Sequence, residues 1–381
     1  MTEAEVVARE ERGGEGEVEP SFFADPRRIA MTLGAVVLLI AGIYVVLPKL
    51  VGAQDALNKL GDANVLWLAV ALAFEVASFV AYILLFKAVV AERVDHVGWR
   101  EAYQIALAGL VATLLFSAAG AGGIVLFYWA LRKAGMERRQ SACRLVAFYV
   151  LQYGVYLLAL VVFGALLRSG ALSGEAPLGL TIVPAAIAGA VVVAFLAIAL
   201  LPQDFERRIA RLAAGYRFAR LAHRLSTVPA TLASGTRTAL QFAREPSRGG
   251  EALAGAIGYW ACNVGILWAS FHAYSVSVPL GVVIQGFFVG TAANLTPFAP
   301  AGVGAVDAGL IGSFVLFGLP SSGVFAAVLT YRLIAYWLPI PFGVVAFFQL
   351  RGTASRWEAE GVAAPRRRAG IGGPVTSQSK V

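Results

Sequence analysis

The chain is poor in the residues from which most catalytic and metal sites are built. It has two cysteines and three histidines in 381 residues. Cys143 and Cys262 each lie in or beside an apolar run, lack metal-ligand spacing, and read as buried, inert thiols. His96, His223 and His272 are dispersed, and HExxH, Walker and GxSxG patterns do not occur. No metal, cofactor or activated nucleophile is expected, and the chain does not read as an enzyme. Charge is scarce as well. Only 14% of residues are Asp, Glu, Lys or Arg, against roughly a quarter in soluble domains.

What is abundant is apolar. Hydrophobic residues make up 59% of the chain, and the mean hydropathy is +0.73. Apolar windows recur at Ile29–Leu47, Val65–Phe86, Leu145–Leu167, Thr181–Leu201, Leu253–Tyr274 and Val324–Phe348. Each can cross a ~30 Å hydrocarbon core at ~1.5 Å per residue. The fold class is all-α, a polytopic integral membrane protein. Residues 1–28 hold seven glutamates and an aspartate with no basic n-region. They read as a disordered acidic tail, not a cleaved signal peptide. Residues 352–381 read as a disordered basic tail, and 29–351 as the membrane domain.

The net charge of +8 follows topology. Of 31 Lys and Arg, 27 fall within the N-tail, 87–102, 132–144, 202–251 and the segment from Arg351. Such loops stay cytoplasmic, so no nucleic-acid partner is expected, and both termini are placed on the cytoplasmic side of a prokaryotic cell membrane. Threading the chain through this pattern predicts six spanning helices plus two interrupted, re-entrant elements. The first, Tyr103–Leu131, is broken by SAAGAGG at 117–123, and its second arm, Ile124–Leu131, is too short to span. The second lies between Pro279 and Pro320, contains no Lys or Arg, and breaks at TPFAPAGVG with arms of about 17 residues. It is a deep hairpin or two short spans. The two elements enter from opposite faces. Gly123 and Gly302, like Gly164 and Gly343, are 179 residues apart. An inverted repeat of the kind found in secondary transporters is one reading, and two unrelated kinks is the other.

The stretch TPFAPAGVGAVDAG, followed by GLPSSGVFAAVLTYRLIAYWLPIPFG, resembles the lysylphosphatidylglycerol synthase transmembrane-region family, whose members are flippase-like membrane domains. The positions that carry the resemblance are Pro297, Pro300, Gly302, Gly304 and Asp307, then Tyr331, Arg332, Tyr336, Trp337, Pro339 and Gly343. Asp307 stands where the family usually carries glutamate. About 30 polar residues follow Leu350, so the lysyl-transferring soluble domain of the synthase members is not expected, and neither is lipid aminoacylation. The resemblance implies a partner that is a membrane phospholipid or a polyprenyl-linked lipid, moved between leaflets. A subunit or enzyme of lipid-linked sugar metabolism, or a non-transporting scaffold, is the alternative.

The candidate site residues follow from chemistry at bilayer depth. A helix restarted after PAGVG exposes N–H groups and a positive dipole end that suit an anion, which singles out Gly302 and Gly304. Asp307 falls in the first turn of that helix. Arg332 lies inside an apolar run, where insertion costs at least ~2.5–3.5 kcal/mol, so it should face a cavity or a countercharge. It is the candidate phosphate contact; a structural Asp307–Arg332 pair is the other reading. Glu75, in ALAFEVASFV, suits a proton or cation role, or is a neutral hydrogen-bonded carboxyl. Asn294, Thr296 and Tyr331 complete the expected polar lining, with Thr291 beside them. Phe205, Ile209, Leu212 and Tyr216 share a face of the Arg-rich loop, as an interfacial helix on anionic lipid would; an ordinary cytoplasmic loop is the alternative.

Overall fold

The computed structural model describes residues 59–90, 94, 96–115, 121–200, 219–295 and 304–362. All of them belong to one unit, Ala56–Val381, and Met1–Asp55 lies outside the described residues. The expected span Ile29–Leu47, the tail 1–28, the residues of 352–381 beyond Val362 and the interfacial helix through Tyr216 therefore lie outside them.

The described chain is helical throughout, as expected. In order, it forms α1 (Val65–Val89), α2 (Trp99–Leu115), α3 (Ala121–Lys133), α4 (Arg138–Arg168), α5 (Ile182–Ala199), α6 (Ala219–Arg244) and α7 (Pro246–Ala273). It continues with α8 (Leu280–Thr291), α9 (Ala305–Leu316), α10 (Ser321–Arg332) and α11 (Pro339–Ala359). Among the described residues, α1, α4, α5, α7 and the continuous run Ser321–Ala359 are long and apolar enough to cross a membrane. These correspond to five of the six expected spans.

Local chemistry sets several of the ends. Asn64 begins α1 by accepting the Leu66 N–H at 2.9 Å on its side chain, which satisfies an orphan donor of the first turn. Pro246 opens α7 at a position where the missing N–H costs nothing. Between α10 and α11 the helix widens into a π turn, Leu333–Trp337. The cause is the Pro339-x-Pro341 pair, which withholds the N–H groups that Ala335 and Trp337 carbonyls would use in an α-helix. Leu338 N–H instead reaches back five residues to the Leu333 carbonyl at 3.1 Å.

Two glycine-rich breaks give two helical hairpins. In the first, α2 and α3 pack against each other so closely that a Cβ on Gly123 would lie 2.7 Å from the Gly109 carbonyl oxygen. In the second, α8 and α9 meet in the same way, and a Cβ on Gly309 would lie 2.4 Å from the Gly290 carbonyl oxygen. The arms differ in length from expectation. α3 runs 13 residues, starting at Ala121 inside the glycine stretch and extending to Lys133, not eight. α8 and α9 are described as 12 residues each instead of about 17, with α8 tightening into a 3-10 turn at Ala292–Leu295 and α9 running from Ala305 to Leu316. At ~1.5 Å per residue each arm covers roughly 18 Å, too little for a ~30 Å core. A hairpin is the architecture such arms can form.

The spanning helices bracket these hairpins. α1 and α7 run antiparallel along their length, with Trp67 against Trp268 at one end and Tyr82 against Tyr259 further on. α4 packs on the second hairpin, where Gly164 meets Gln285 of α8. α11 packs on the first, where Gly343 meets Leu107 and Val111 of α2. Each hairpin is thus covered by the helix that follows the other one. α5 exposes Ile182, Val183, Ile187, Val193 and Leu196. An apolar surface that large is unfavourable in water and suits acyl chains.

Candidate functional site

The second hairpin places three of the expected residues together. Gly304 takes φ +81°, a conformation open to glycine, and turns the chain into α9. Asp307, three residues on, accepts the Gly304 N–H at 2.9 Å on Oδ2. Its other oxygen, Oδ1, meets Arg332 Nε at 2.7 Å. The arginine side chain is 1% exposed and the aspartate 13%. The Arg332 guanidinium lies over the Tyr336 ring at 3.7 Å from its centre, as side chains four residues apart on a helix can. A cation at this depth is expensive; here it is met by a carboxylate and an aromatic face. Gly302 and Thr296, and the Asn294 side chain, lie outside the described residues.

The remaining two candidates line a cavity. Glu75 of α1 and Tyr331 of α10 face a space of about 570 Å³ bordered by α1, α2, α4, α5, α7, the second hairpin, α10 and the π turn. Arg332 does not line it; its neighbour Tyr331 and its stacking partner Tyr336 do. The wall is strongly aromatic. Tyr149, Tyr153 and Tyr156 come from α4, and Tyr259 and Trp260 from α7. Tyr156 is held by hydrogen bonding to the Phe288 carbonyl of the second hairpin. Trp260 is held by its indole N–H donating to the Gln152 carbonyl at 2.7 Å. Asn263, also in the wall, donates to the Tyr259 carbonyl at 2.9 Å and to Ser78 at 3.4 Å. Thr291 bonds back to the Phe287 carbonyl at 2.7 Å while bordering the same space.

Next to this cavity is an apolar one of about 770 Å³, built on α3, α4, α5 and α6. The two share Thr113, Tyr149, Tyr153, Leu157 and Phe195 as walls. An amphiphile with its head among the tyrosines and its chain in the neighbouring space would match the polarity of both.

Most of the tyrosine wall escaped sequence reasoning, although a signal exists. In FYVLQYGVY the residues Tyr149, Gln152, Tyr153 and Tyr156 recur at helical spacing and so share one face of α4. Cys143 and Cys262 are free and half-buried, and the described residues hold no cluster of metal-ligating side chains.

Comparison with known proteins agrees with the architecture. Two UPF0104 membrane proteins of Methanothermobacter thermautotrophicus strain Delta H are similar to part of the chain. One is 30% identical over 87 residues, which is 23% of this chain and 26% of that protein. The other is 32% identical over 90 residues, 24% of this chain and 26% of its own length. The chain thus matches about a quarter of each of these relatives. Residues 31–343 match the family described as the lysylphosphatidylglycerol synthase TM region. With its membrane-length helices and a family match over most of its length, the chain is a multi-pass membrane protein that belongs to the lysylphosphatidylglycerol synthase TM-region family.

Proposed function

We propose that the protein moves a phosphate-bearing lipid, either a phospholipid or a polyprenyl-linked headgroup, between the leaflets of a prokaryotic cell membrane. The observation that carries this reading is the pair of adjoining cavities, one aromatic and the more polar of the two, the other apolar, sharing walls from α2, α4 and α5. A scaffold gains nothing from a headgroup-sized polar space among its helices, because every buried polar group in it needs a partner. The reciprocal covering of the hairpins by α4 and α11 supports an inverted repeat, the plan on which many transporters build a midplane site. Arg332 stands behind the cavity wall. A headgroup phosphate reaches it when Tyr336 moves aside or Asp307 releases it, and its planar fork suits that contact.

Purified protein reconstituted in liposomes with acyl-labelled fluorescent phospholipids tests the reading by dithionite bleaching. Wild-type vesicles should bleach well beyond the outer-leaflet half reached by protein-free vesicles. Bleaching that stops at the protein-free level for every headgroup tried would leave the scaffold as the better account.

A further inference from the structure

We propose that Glu75 is a proton-binding site near the middle of the membrane, and that a phosphate-bearing head enters the cavity beside it only while the proton is bound. Lipid movement is then coupled to a proton gradient. The proposal rests on the lipid-moving reading and adds an energy source to it.

Position carries the first part of the argument. Glu75 lies ten residues beyond Val65 in α1, a span of 25 residues. At ~1.5 Å per residue it sits ~15 Å along the helix, about half-way through a ~30 Å hydrocarbon core. The residue is 2% exposed, yet it lines the cavity of about 570 Å³. It makes no hydrogen bond or ion pair among the described residues. A carboxyl at this depth is expensive to hold charged, and such residues mark proton relays in transporters.

The charge inventory of the wall carries the second part. Glu75 is the one carboxylic acid among the described residues that line the cavity, and none of them is Lys, Arg or His. Arg332 is engaged by Asp307 at 2.7 Å and does not line the space. With no cation in the wall, a proton is what compensates the carboxylate. The other titratable groups in the wall are phenols. They are Tyr82 on α1, Tyr149, Tyr153 and Tyr156 on α4, Tyr259 on α7, Tyr331 on α10 and Tyr336 in the π turn. The lining residues of α2, α5 and the second hairpin add none. Tyr259 and Tyr331 feel the charge of Glu75, as does the Cys262 thiol, which stands outside the lining. Phenols and thiols give up protons at ~10 and ~8.5, carboxylic acids far lower. Glu75 is therefore the first of these groups to change charge as pH rises.

The ligand is a proton because one carboxylate holds a proton alone, whereas a cation such as Ca²⁺ takes ~6–8 oxygen ligands. Among the described residues no three His, Cys, Asp or Glu come together. Ser78, one turn on from Glu75, is already the acceptor for the Asn263 amide at 3.4 Å. Ionised Glu75 repels a phosphate entering the cavity, and protonated Glu75 does not. Binding the proton from one side and releasing it to the other thus carries one proton with each head, in the same direction. The carboxyl ends the cycle as it began.

The test uses the full chain in liposomes carrying acyl-labelled phosphatidylglycerol, bleached by external dithionite at one fixed outer pH. The slow phase of bleaching reports outward movement. With the lumen one pH unit more acidic than the outside, that phase should run up to ~10-fold faster than without a gradient. Nigericin with potassium, which collapses the gradient, should remove the acceleration. Glu75→Gln imitates the protonated carboxyl and cannot release a proton, so it should lose the response to the gradient. Glu75→Asp keeps a titratable carboxyl and should retain it. Equal wild-type rates with and without the gradient, or a response that survives in Glu75→Gln, would overturn the proposal. If no lipid moves under any condition, the transport reading fails by itself, and the proton site is judged by infrared difference spectra of wild type and Glu75→Gln at neutral pH. A carbonyl band of a protonated carboxylic acid that the wild type shows, that shifts in D₂O and that the variant lacks supports the site. A wild type without that band overturns it.

Discussion

Asp307 divides its two carboxylate oxygens between the start of its own helix and the arginine of another. Oδ2 accepts the Gly304 N–H at 2.9 Å and Oδ1 meets Arg332 Nε at 2.7 Å. The restart of the second hairpin is thereby tied to the buried cation of α10. Through the stack of Arg332 on Tyr336, it is also tied to the wall of the polar cavity.

This geometry makes the pair a structural element in the resting protein. Arg332→Ala and Asp307→Asn should each destabilise by ~3–5 kcal/mol, because removing one partner strands a buried charge. The double variant Arg332→Ala/Asp307→Asn should cost clearly less than the sum, as coupled neighbours do. Arg332→Lys should recover part of the loss, since lysine keeps the charge but not the planar stack. Detergent Tm of the four variants checks this. An unchanged Tm in Asp307→Asn would show that Arg332 does not depend on its carboxylate.

The hairpin arms should be sensitive to a single methyl. Gly309→Ala places a Cβ 2.4 Å from the Gly290 carbonyl oxygen and should destabilise by ~1–3 kcal/mol, the usual cost of overpacking. Gly312→Ala, three residues further along α9, meets nothing within 4 Å. It should be neutral or gain up to ~1 kcal/mol from helix propensity. Equal Tm values for the two variants would contradict the close approach of α8 and α9.

The Tyr336 ring serves both the arginine and the cavity, so Tyr336→Leu should show two separable effects. Loss of the stack should cost about 1–2 kcal/mol of stability at this depth. Lipid movement in the bleaching assay should change by more than that loss explains, because Tyr336 also borders the cavity proposed to take the headgroup. A Tm shift with lipid movement changed no more than that loss explains would place the ring in packing alone.

The orientation drawn from the arginines is checked by thiol labelling in a background without Cys143 and Cys262. Ser173 and Ser277 lie on exposed connections at the ends of α4 and α7. Cysteines there should react with an impermeant reagent from outside intact cells. A cysteine at Ser355, exposed near the end of α11, should react only after permeabilisation. The reverse pattern would invert the topology.

Much of the architecture was determined by the sequence alone, for a physical reason. A bilayer demands long uninterrupted apolar runs with internally satisfied backbones, so helices such as α1 and α4 announce themselves, and so do the glycine breaks that stop α2 and α8. Asp307 and Arg332 were legible because an ionisable residue in an apolar helix is costly enough to require a partner. Tertiary structure decided what composition cannot encode. The lengths of α3, α8 and α9 follow from local turns: α3 starts at Ala121, α8 tightens into a 3-10 turn at Ala292–Leu295, and α9 starts at Ala305. The π turn, set by Pro339 and Pro341, follows Arg332 directly, and the Tyr336 ring within it stacks on the guanidinium. The cavity itself appears only when α1, α4 and α7 are packed. Glu75, Gln152 and Trp260 then line one space although up to 185 residues separate them along the chain. Tyrosines at helical spacing look the same in a sequence whether they fill a core or wall a cavity; the difference lies in what the facing helices leave unfilled.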